Sequence, residues 1–358
     1  MDQIDNKEIA FVFPGQGSQY IKMGKDFFDN FSEYKIILEE ASDTLKIDMK
    51  KLIFGDDENM LNLTENTQPA ILTVSIAILS IIKKEFEINV STAAGHSLGE
   101  YSANVFAGII KFKNALLITR KRGELMQSAC PVGFGKMAAI IGLLPEIIEE
   151  TVNQINYKYG DKYDDDDNDN SDNINNNNID TDKITKGTVF VANYNSPNQS
   201  VISGKVEDLE KTCDLLKEKG AKKIVYLPVS APFHTPYMQD AAKGLDDFIN
   251  KDWFNDSSNG ADIFSNVDGL NYSKKNDAIN YLLRQITSPV RWVDCIINMK
   301  KIKNIKVFIE IGPSNVLTGL IKRIDKEVLS YSVNSVESFK ELGEIISKFT
   351  QNKSLNNI

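Results

Sequence analysis

Two rhythms of apolar and polar residues alternate along the chain. Short apolar runs, EIAFVFPG (8–15), VSTAAGHS (90–97), DIFSNV (262–267), KVFIEIGP (306–313) and VLSYSV (328–333), have the near-continuous apolar character of strands buried on both faces. Helical spacing fills most of the stretches between them. This order predicts an α/β fold whose parallel-rich sheet is covered by helices on both sides. Ligands of such sheets gather at the carboxyl ends of strands, where PGQG, GHSLG and IGPS all fall. The longest apolar run, residues 69–82 ahead of Lys83 and Lys84, is too short to cross a bilayer and reads as a buried helix.

The middle of the chain changes rhythm. KMAAIIGL (136–143) reads as a strand, and Pro145 opens a helix over EIIEETVNQI. TVFVANY and QSVISG follow as two strands joined by a turn at Asn195-Ser196-Pro197-Asn198. VEDLEKTCDLLKEK has helical spacing and stops at Gly220, and KKIVYLPV closes with a strand. The order β-α-β-β-α-β is the ferredoxin-like pattern, so residues 134–228 are expected to form an inserted subdomain. Within it, residues 161–182 are dominated by Asp and Asn. They lack the apolar surface to offset their ordering entropy, and the expectation is a disordered loop. Poly-Asn of this kind suggests a eukaryotic gene of biased base composition.

That loop also explains the charge. The 358 residues carry a formal net charge of −9, but residues 161–182 hold nine aspartates and one lysine, leaving the other 336 near −1. The body is close to neutral, and nothing points to nucleic acid or a membrane surface. Cys130, Cys213 and Cys295 are odd in number and widely spaced, which excludes a disulfide framework or a zinc site on spacing; buried thiols in a reducing compartment are expected. The start, MDQIDNKEIA, has neither a signal-peptide apolar core nor an Arg/Ser-rich transit segment; any address label has been removed or never existed.

The candidate chemistry begins at GHSLGEYSAN, where Ser97 stands at G-x-S-x-G spacing between a small-residue strand and a helix. That is the context of a nucleophile elbow, in which the first N–H groups of the helix face the serine oxygen. A serine nucleophile needs a base, and the chain has two histidines. His96 adjoins Ser97 on an extended segment, so their side chains point to opposite faces. His234, in a Pro-bracketed loop after a strand end, is the base by elimination. No carboxylate is marked by spacing as its orienting partner, and a backbone carbonyl can fix an imidazole equally well. The residues alone leave an acyltransferase or a serine hydrolase.

A series of segments narrows this choice. FPGQGSQ, TQPAILT (67–73), GHSLGEYSA and RKRGELMQ (120–127) are followed in order by ANYNSPNQSVISG, APFHTPYM, RQITSPVRW (284–292) and IEIGPSNVLTGL (309–320). Together they resemble the malonyl-CoA:acyl-carrier-protein transacylase family, the malonyl loaders of fatty-acid synthesis, over nearly the whole chain outside the insertion. The resemblance implies a hydrolase-like α/β domain, here residues 1–133 and 229–358, carrying a ferredoxin-like subdomain. It places the nucleophile on Ser97, the base on His234, and the oxyanion hole on the backbone N–H groups of Gln16 and Leu98. The imidazole-orienting carbonyl falls on Gln285 and the substrate-carboxylate arginine on Arg122. Gln68 and Phe233 join the substrate site, Phe233 narrowing it at the malonyl α-carbon. In ANYNSPNQ, Asn198 stands where the family usually has glycine; asparagine tolerates positive φ, so the turn should survive.

The expected reaction passes malonyl from malonyl-CoA to Ser97 and then to the phosphopantetheine thiol of acyl carrier protein, with no metal or bound cofactor. An acidic carrier meeting a near-neutral enzyme needs a local basic patch, proposed at Lys222, Lys223, Lys322 and Arg323. The chain is expected to act as a monomer. A stand-alone loader with a eukaryote-like insertion suggests a plastid-type organelle, with the transit peptide absent from this chain and the cytoplasm as the alternative. A non-catalytic carrier-binding scaffold is the rival of another class; intact Ser97 and His234 speak against it.

Overall fold

The structure, a computed structural model, describes residues 6–86, 88–159 and 187–351. The Asp/Asn-rich stretch at 161–182 lies outside the described residues. In chain order the strands are β1 (Ile9–Phe13), β2 (Thr92–Gly95), β3 (Gly135–Ile141), β4 (Val189–Ser196), β5 (Gln199–Lys205), β6 (Lys223–Tyr226), β7 (Asp262–Phe264), β8 (Asn271–Tyr272), β9 (Val307–Ile311) and β10 (Leu329–Val333).

Six of them form one sheet in the order β10-β9-β1-β2-β7-β8, parallel throughout except at the edge strand β8. β1 lies in its middle, and its side chains show why both faces are buried. Ile9, Phe11 and Phe13 enter a core with the helix Thr64–Glu85, while Ala10 and Val12 enter a second core with Trp292, Phe308 and Leu317. The strands foreseen in the apolar runs are all present; β8, only two residues long, carries no run and was not foreseen.

The other four strands form an antiparallel sheet, β4-β5-β3-β6, backed by the helices Pro145–Tyr159 and Val206–Glu218. This is the ferredoxin-like arrangement. β4 continues through Ser196, so the turn to β5 is tighter than expected and consists of Pro197 and Asn198. Asn198 does not adopt positive φ, and its carbonyl accepts the Gly142 N–H at 2.8 Å, so the turn asks nothing of glycine. β4 is tied to the segment ahead of the helix Trp292–Lys303 by a short parallel bridge at Asn193 and Val290, with Tyr194 N–H to the Val290 carbonyl at 2.9 Å and Val290 N–H to the Ala192 carbonyl at 2.8 Å.

The apolar run expected at 69–82 is part of a longer helix, Thr64–Glu85, with Pro69 inside it. At 22 residues it is long enough to cross a membrane, so the length argument does not hold; the helix is instead buried in the core, from Ala70 to Ile82 almost without interruption. Proline is tolerated there because Arg120 supplies the missing donor: its Nη1 reaches the Glu65 carbonyl, four residues before Pro69, at 3.2 Å. All three cysteines are buried and free.

Candidate active site

Ser97 follows β2 after the single residue His96, and the helix Gly99–Phe106 leaves from the next turn. Ser97 takes φ 50°, a left-handed conformation uncommon for serine. The tight turn requires both flanking glycines. A Cβ on Gly95 would lie 1.8 Å from the Gly99 carbonyl carbon, and one on Gly99 would lie 2.0 Å from the Phe13 oxygen. The elbow is fastened from outside by Asn266, whose Oδ1 accepts the Ser97 N–H at 2.7 Å and whose Nδ2 donates to the Gly95 carbonyl at 2.8 Å.

The His234 imidazole meets the serine with Nε2 at 2.8 Å from Oγ. Its Nδ1 is 2.9 Å from the main-chain carbonyl of Gln285. A carbonyl only accepts, so Nδ1 carries the proton and Nε2 presents its lone pair to the Ser97 hydroxyl. His234 is buried, and burial, followed by the Arg122 cation, pulls its pKa down to about 3. It is therefore neutral and able to accept a proton at any physiological pH. Like Ser97 it is left-handed, with φ 60°, a feature that nothing in APFHTPYM signalled. His96 turns the other way: its Nε2 bonds Asn195 Oδ1 at 2.8 Å and its ring packs 5.7 Å from Trp292, so it ties the elbow to β4.

Arg122 lies on the helix Phe112–Ser128 and is almost completely buried, 1% exposed. Its Nη1 donates to Gln68 Oε1 at 2.9 Å, and its Nη2 to Gln285 Oε1 at 2.9 Å and to Ser97 Oγ at 3.1 Å. Every one of these acceptors is neutral. No carboxylate comes within 4 Å of the guanidinium among the described residues, and its buried Nε–H has no acceptor there. The buried Glu100 attracts it only from a layer behind Gln285, and an arginine with no carboxylate of its own is shaped to receive an anion.

These groups line one cleft of about 240 Å³ between the two sheets, together with Gln16, Leu98, Gln68, Phe233, Met126, Met137, Asn193 and Gln199. The structure thus brings Ser97, His234, Gln16, Leu98, Arg122, Gln68 and Phe233 to a single cavity, with Gln285 behind it. Among the described residues no group of three or more His, Cys, Asp or Glu side chains could hold a metal ion. The basic residues are placed less evenly. Lys223 pairs with Ile141, Ile141 pairs with Gln199, and Arg323 donates to Gln199 Oε1 at 2.9 Å, so Lys222, Lys223 and Arg323 fall along one end of the smaller sheet beside the cleft. Lys322 lines a different groove with Asn315, Tyr331 and Glu341. Asn266 and the side chain of Gln285 were not foreseen, because their contacts join residues more than 150 positions apart and leave no local pattern.

Comparison with known proteins shows the family. Residues 10–156 match the acyl transferase domain family. A malonyl CoA-acyl carrier protein transacylase of Bacillus subtilis (strain 168) is 38% identical over 335 residues, covering 93% of this chain and 95% of its own. The crystal structure of a malonyl CoA-acyl carrier protein transacylase from Clostridium perfringens superposes with a TM-score of 0.82 at 37% identity, covering 98% of this chain and 99% of that one. A malonyl-transacylase solved in complex with a type II polyketide acyl-carrier protein superposes with a TM-score of 0.80 at 35% identity, covering 92% and 97%. With the serine elbow, its imidazole and the unpaired arginine in one cleft, this chain belongs to the malonyl CoA-acyl carrier protein transacylase family.

Proposed function

We propose that the chain transfers malonyl from malonyl-CoA to acyl carrier protein through an ester on Ser97. His234 Nε2 takes the Ser97 proton as Oγ attacks the thioester carbonyl. The backbone N–H groups of Gln16 and Leu98 receive the developing oxyanion, a contribution of about 3 kcal/mol each in comparable sites. The tetrahedral intermediate collapses, the C–S bond breaks, and the imidazolium returns its proton to the departing CoA sulfur. In the second half His234 deprotonates the phosphopantetheine thiol of the carrier, the sulfur attacks the Ser97 ester, the C–O bond breaks, and the imidazolium returns its proton to Ser97 Oγ as the carrier leaves with the malonyl group. The Gln285 carbonyl keeps the imidazole in the required tautomer throughout.

The observation that carries this reading is the buried Arg122 with only neutral partners. A malonyl ester on Ser97 would bring its free carboxylate to the guanidinium, giving the bidentate pair that a fork of N–H donors favours. Gln68 holds that fork in place. Phe233, buried in the wall of the cleft, limits substitution at the malonyl α-carbon, so Phe233→Ser should admit methylmalonyl more readily. A serine hydrolase has no use for such an arginine. Residues 134–228 act as a subdomain closing the cleft, and Lys222, Lys223 and Arg323 at the sheet end receive an acidic carrier, Lys322 in its separate groove contributing less. The chain works as a monomer. A plastid-type location is supported by a stand-alone loader together with the Asp/Asn-rich insertion, with the cytoplasm as the alternative. The reaction is tested by mixing enzyme and malonyl-CoA without carrier: a burst of free CoA equal to the enzyme, absent in Ser97→Ala, supports the acyl-serine path, and no burst would remove it.

A further inference from the structure

Among the described residues the histidine of this site has no carboxylate beside it, yet one stands a layer behind. Glu100, in the first turn of the elbow helix, is fully buried. Its carboxylate accepts three hydrogen bonds, from Gln285 Nε2 at 2.6 Å, the Tyr272 hydroxyl at 3.0 Å and the Asn266 N–H at 3.1 Å. Two of these donors belong to the residues that hold the site. Asn266 clamps both sides of the elbow. Gln285 touches more: its carbonyl holds His234, its Oε1 accepts from Arg122, and its Nε2 also reaches the Ser97 carbonyl at 3.1 Å.

We propose that Glu100 is a positioning residue for the transfer reaction, an acid that acts through the Gln285 amide rather than on the imidazole. The argument is one of donors and acceptors. An ionised carboxylate only accepts and a guanidinium only donates, so an amide between them has one allowed orientation, Nε2 toward Glu100 and Oε1 toward Arg122. The orientation of Gln285 in turn fixes the arginine fork, the Ser97 backbone and the carbonyl that holds the imidazole. A protonated Glu100 would add a donor to this ring; it is accommodated where the Tyr272 hydroxyl turns to accept, or where Gln285 turns Oε1 toward the acid and away from Arg122. Geometry and ionisation are therefore coupled.

Burial pushes the Glu100 pKa up to about 7, while the Asn266, Gln285 and Tyr272 donors and the Arg122 cation act the other way. The titratable groups coupled to it are Arg122 on the neighbouring helix, Tyr101 on its own helix, Tyr272 on β8 and Cys295 on the helix Trp292–Lys303. The tyrosines and the cysteine are held neutral by burial, which leaves Arg122 as the charge that Glu100 faces among them.

The inference rests on the reading of Ser97, His234 and Arg122 given above, and one experiment separates the two. Single-turnover malonylation of Ser97 is followed by mass as a function of pH in the wild type, Glu100→Gln and Tyr272→Phe, with folding checked by circular dichroism. The wild-type rate should fall as pH drops through about 7. Glu100→Gln should lower the plateau roughly ten- to hundredfold, a part of what a positioned base contributes, and abolish that fall. Tyr272→Phe removes one donor to the carboxylate, so its fall should move to higher pH while the plateau stays near wild type. A Glu100→Gln profile equal to wild type overturns the proposal. If that variant does not fold, a Tyr272→Phe profile with an unmoved acid limb overturns it. Failure of the wild type itself to form a Ser97 adduct would instead sink the reading of the site.

Discussion

Arg122 Nη2 lies 3.1 Å from Ser97 Oγ, the same oxygen that lies 2.8 Å from His234 Nε2. The hydroxyl has one proton, which it gives to the imidazole, and its lone pairs face the guanidinium. Under the proposed reaction this one cation both receives the acyl carboxylate and favours negative charge on the serine oxygen. It also disfavours a charged imidazole, which keeps His234 in its basic form.

Truncating that arginine separates the two roles. In Arg122→Ala, Ser97 malonylation should fall by roughly 30- to 4000-fold, matching the about 2–5 kcal/mol lost when one side of a buried charge pair is removed. Acetyl loading should fall far less, because an acetyl group strands no carboxylate, so the acetyl-to-malonyl ratio rises. Arg122→Lys should recover little, since the ammonium keeps the charge but loses the fork. Parallel loading assays with both thioesters decide; equal loss of both would make Arg122 a support of the fold and not a selector.

The elbow makes its own prediction. With a Cβ only 2.0 Å from the Phe13 oxygen, Gly99→Ala must push the helix away from β1. The thermal midpoint should drop, consistent with about 1–3 kcal/mol or more for an overpacked core, and Ser97 acylation should be lost with it. A variant with wild-type midpoint and rate would show that this close approach is not needed.

Glu310, at the end of β9, is buried and accepts the Thr318 N–H at 2.7 Å, anchoring the helix Val316–Ile324, whose Val316, Leu317 and Leu320 line the cleft. Burial raises its pKa to about 7, the Thr318 hydrogen bond acting against it. A carboxyl raised in the folded state adds stability that is fully present below its ordinary 4.5 and lost as pH rises through about 7. Glutamine has no such dependence. The midpoint of Glu310→Gln minus that of wild type should therefore increase from about pH 5 to about pH 8. A constant difference would contradict the burial argument.

The basic residues can be told apart by position. Charge reversal at Lys222, Lys223 and Arg323, which lie along the sheet end next to the cleft, should raise the KM for an acidic carrier and flatten its salt dependence, leaving Ser97 malonylation intact. Lys322→Glu, in the separate groove, should change carrier kinetics less. Unchanged carrier kinetics in the triple variant would remove this surface from the account.

How far the sequence carried these conclusions depended on the range of each interaction. All strands but the two-residue β8 were legible, those of the larger sheet because burial on two faces writes itself into consecutive residues, as in IAFVF. Ser97 was legible because an elbow compresses its constraints into GHSLG, and His234 because only two histidines compete. The start of the helix Thr64–Glu85 was hidden, since Pro69 marks a helix start unless a side chain such as Arg120 serves the carbonyl it frees. Glu100, Asn266 and the Gln285 side chain could not be read from position at all. Their partners lie far along the chain, and GHSLGE shows a glutamate without showing whether it faces solvent or Gln285. The Gln285 carbonyl came only with the family resemblance, because a main-chain acceptor leaves no trace in residue identity.

The central claim is a malonyl ester on Ser97, selected by Arg122 and passed on to a carrier thiol. Intact-mass measurement tests it most directly: enzyme is mixed with equal malonyl-CoA and acetyl-CoA, the adduct is mapped by peptide mass, and holo acyl carrier protein is then added. The account predicts a single malonyl adduct on Ser97 that disappears as the carrier gains the same mass. An acetyl adduct in equal amount, an adduct on another residue, or a malonyl ester that the carrier cannot remove would contradict it.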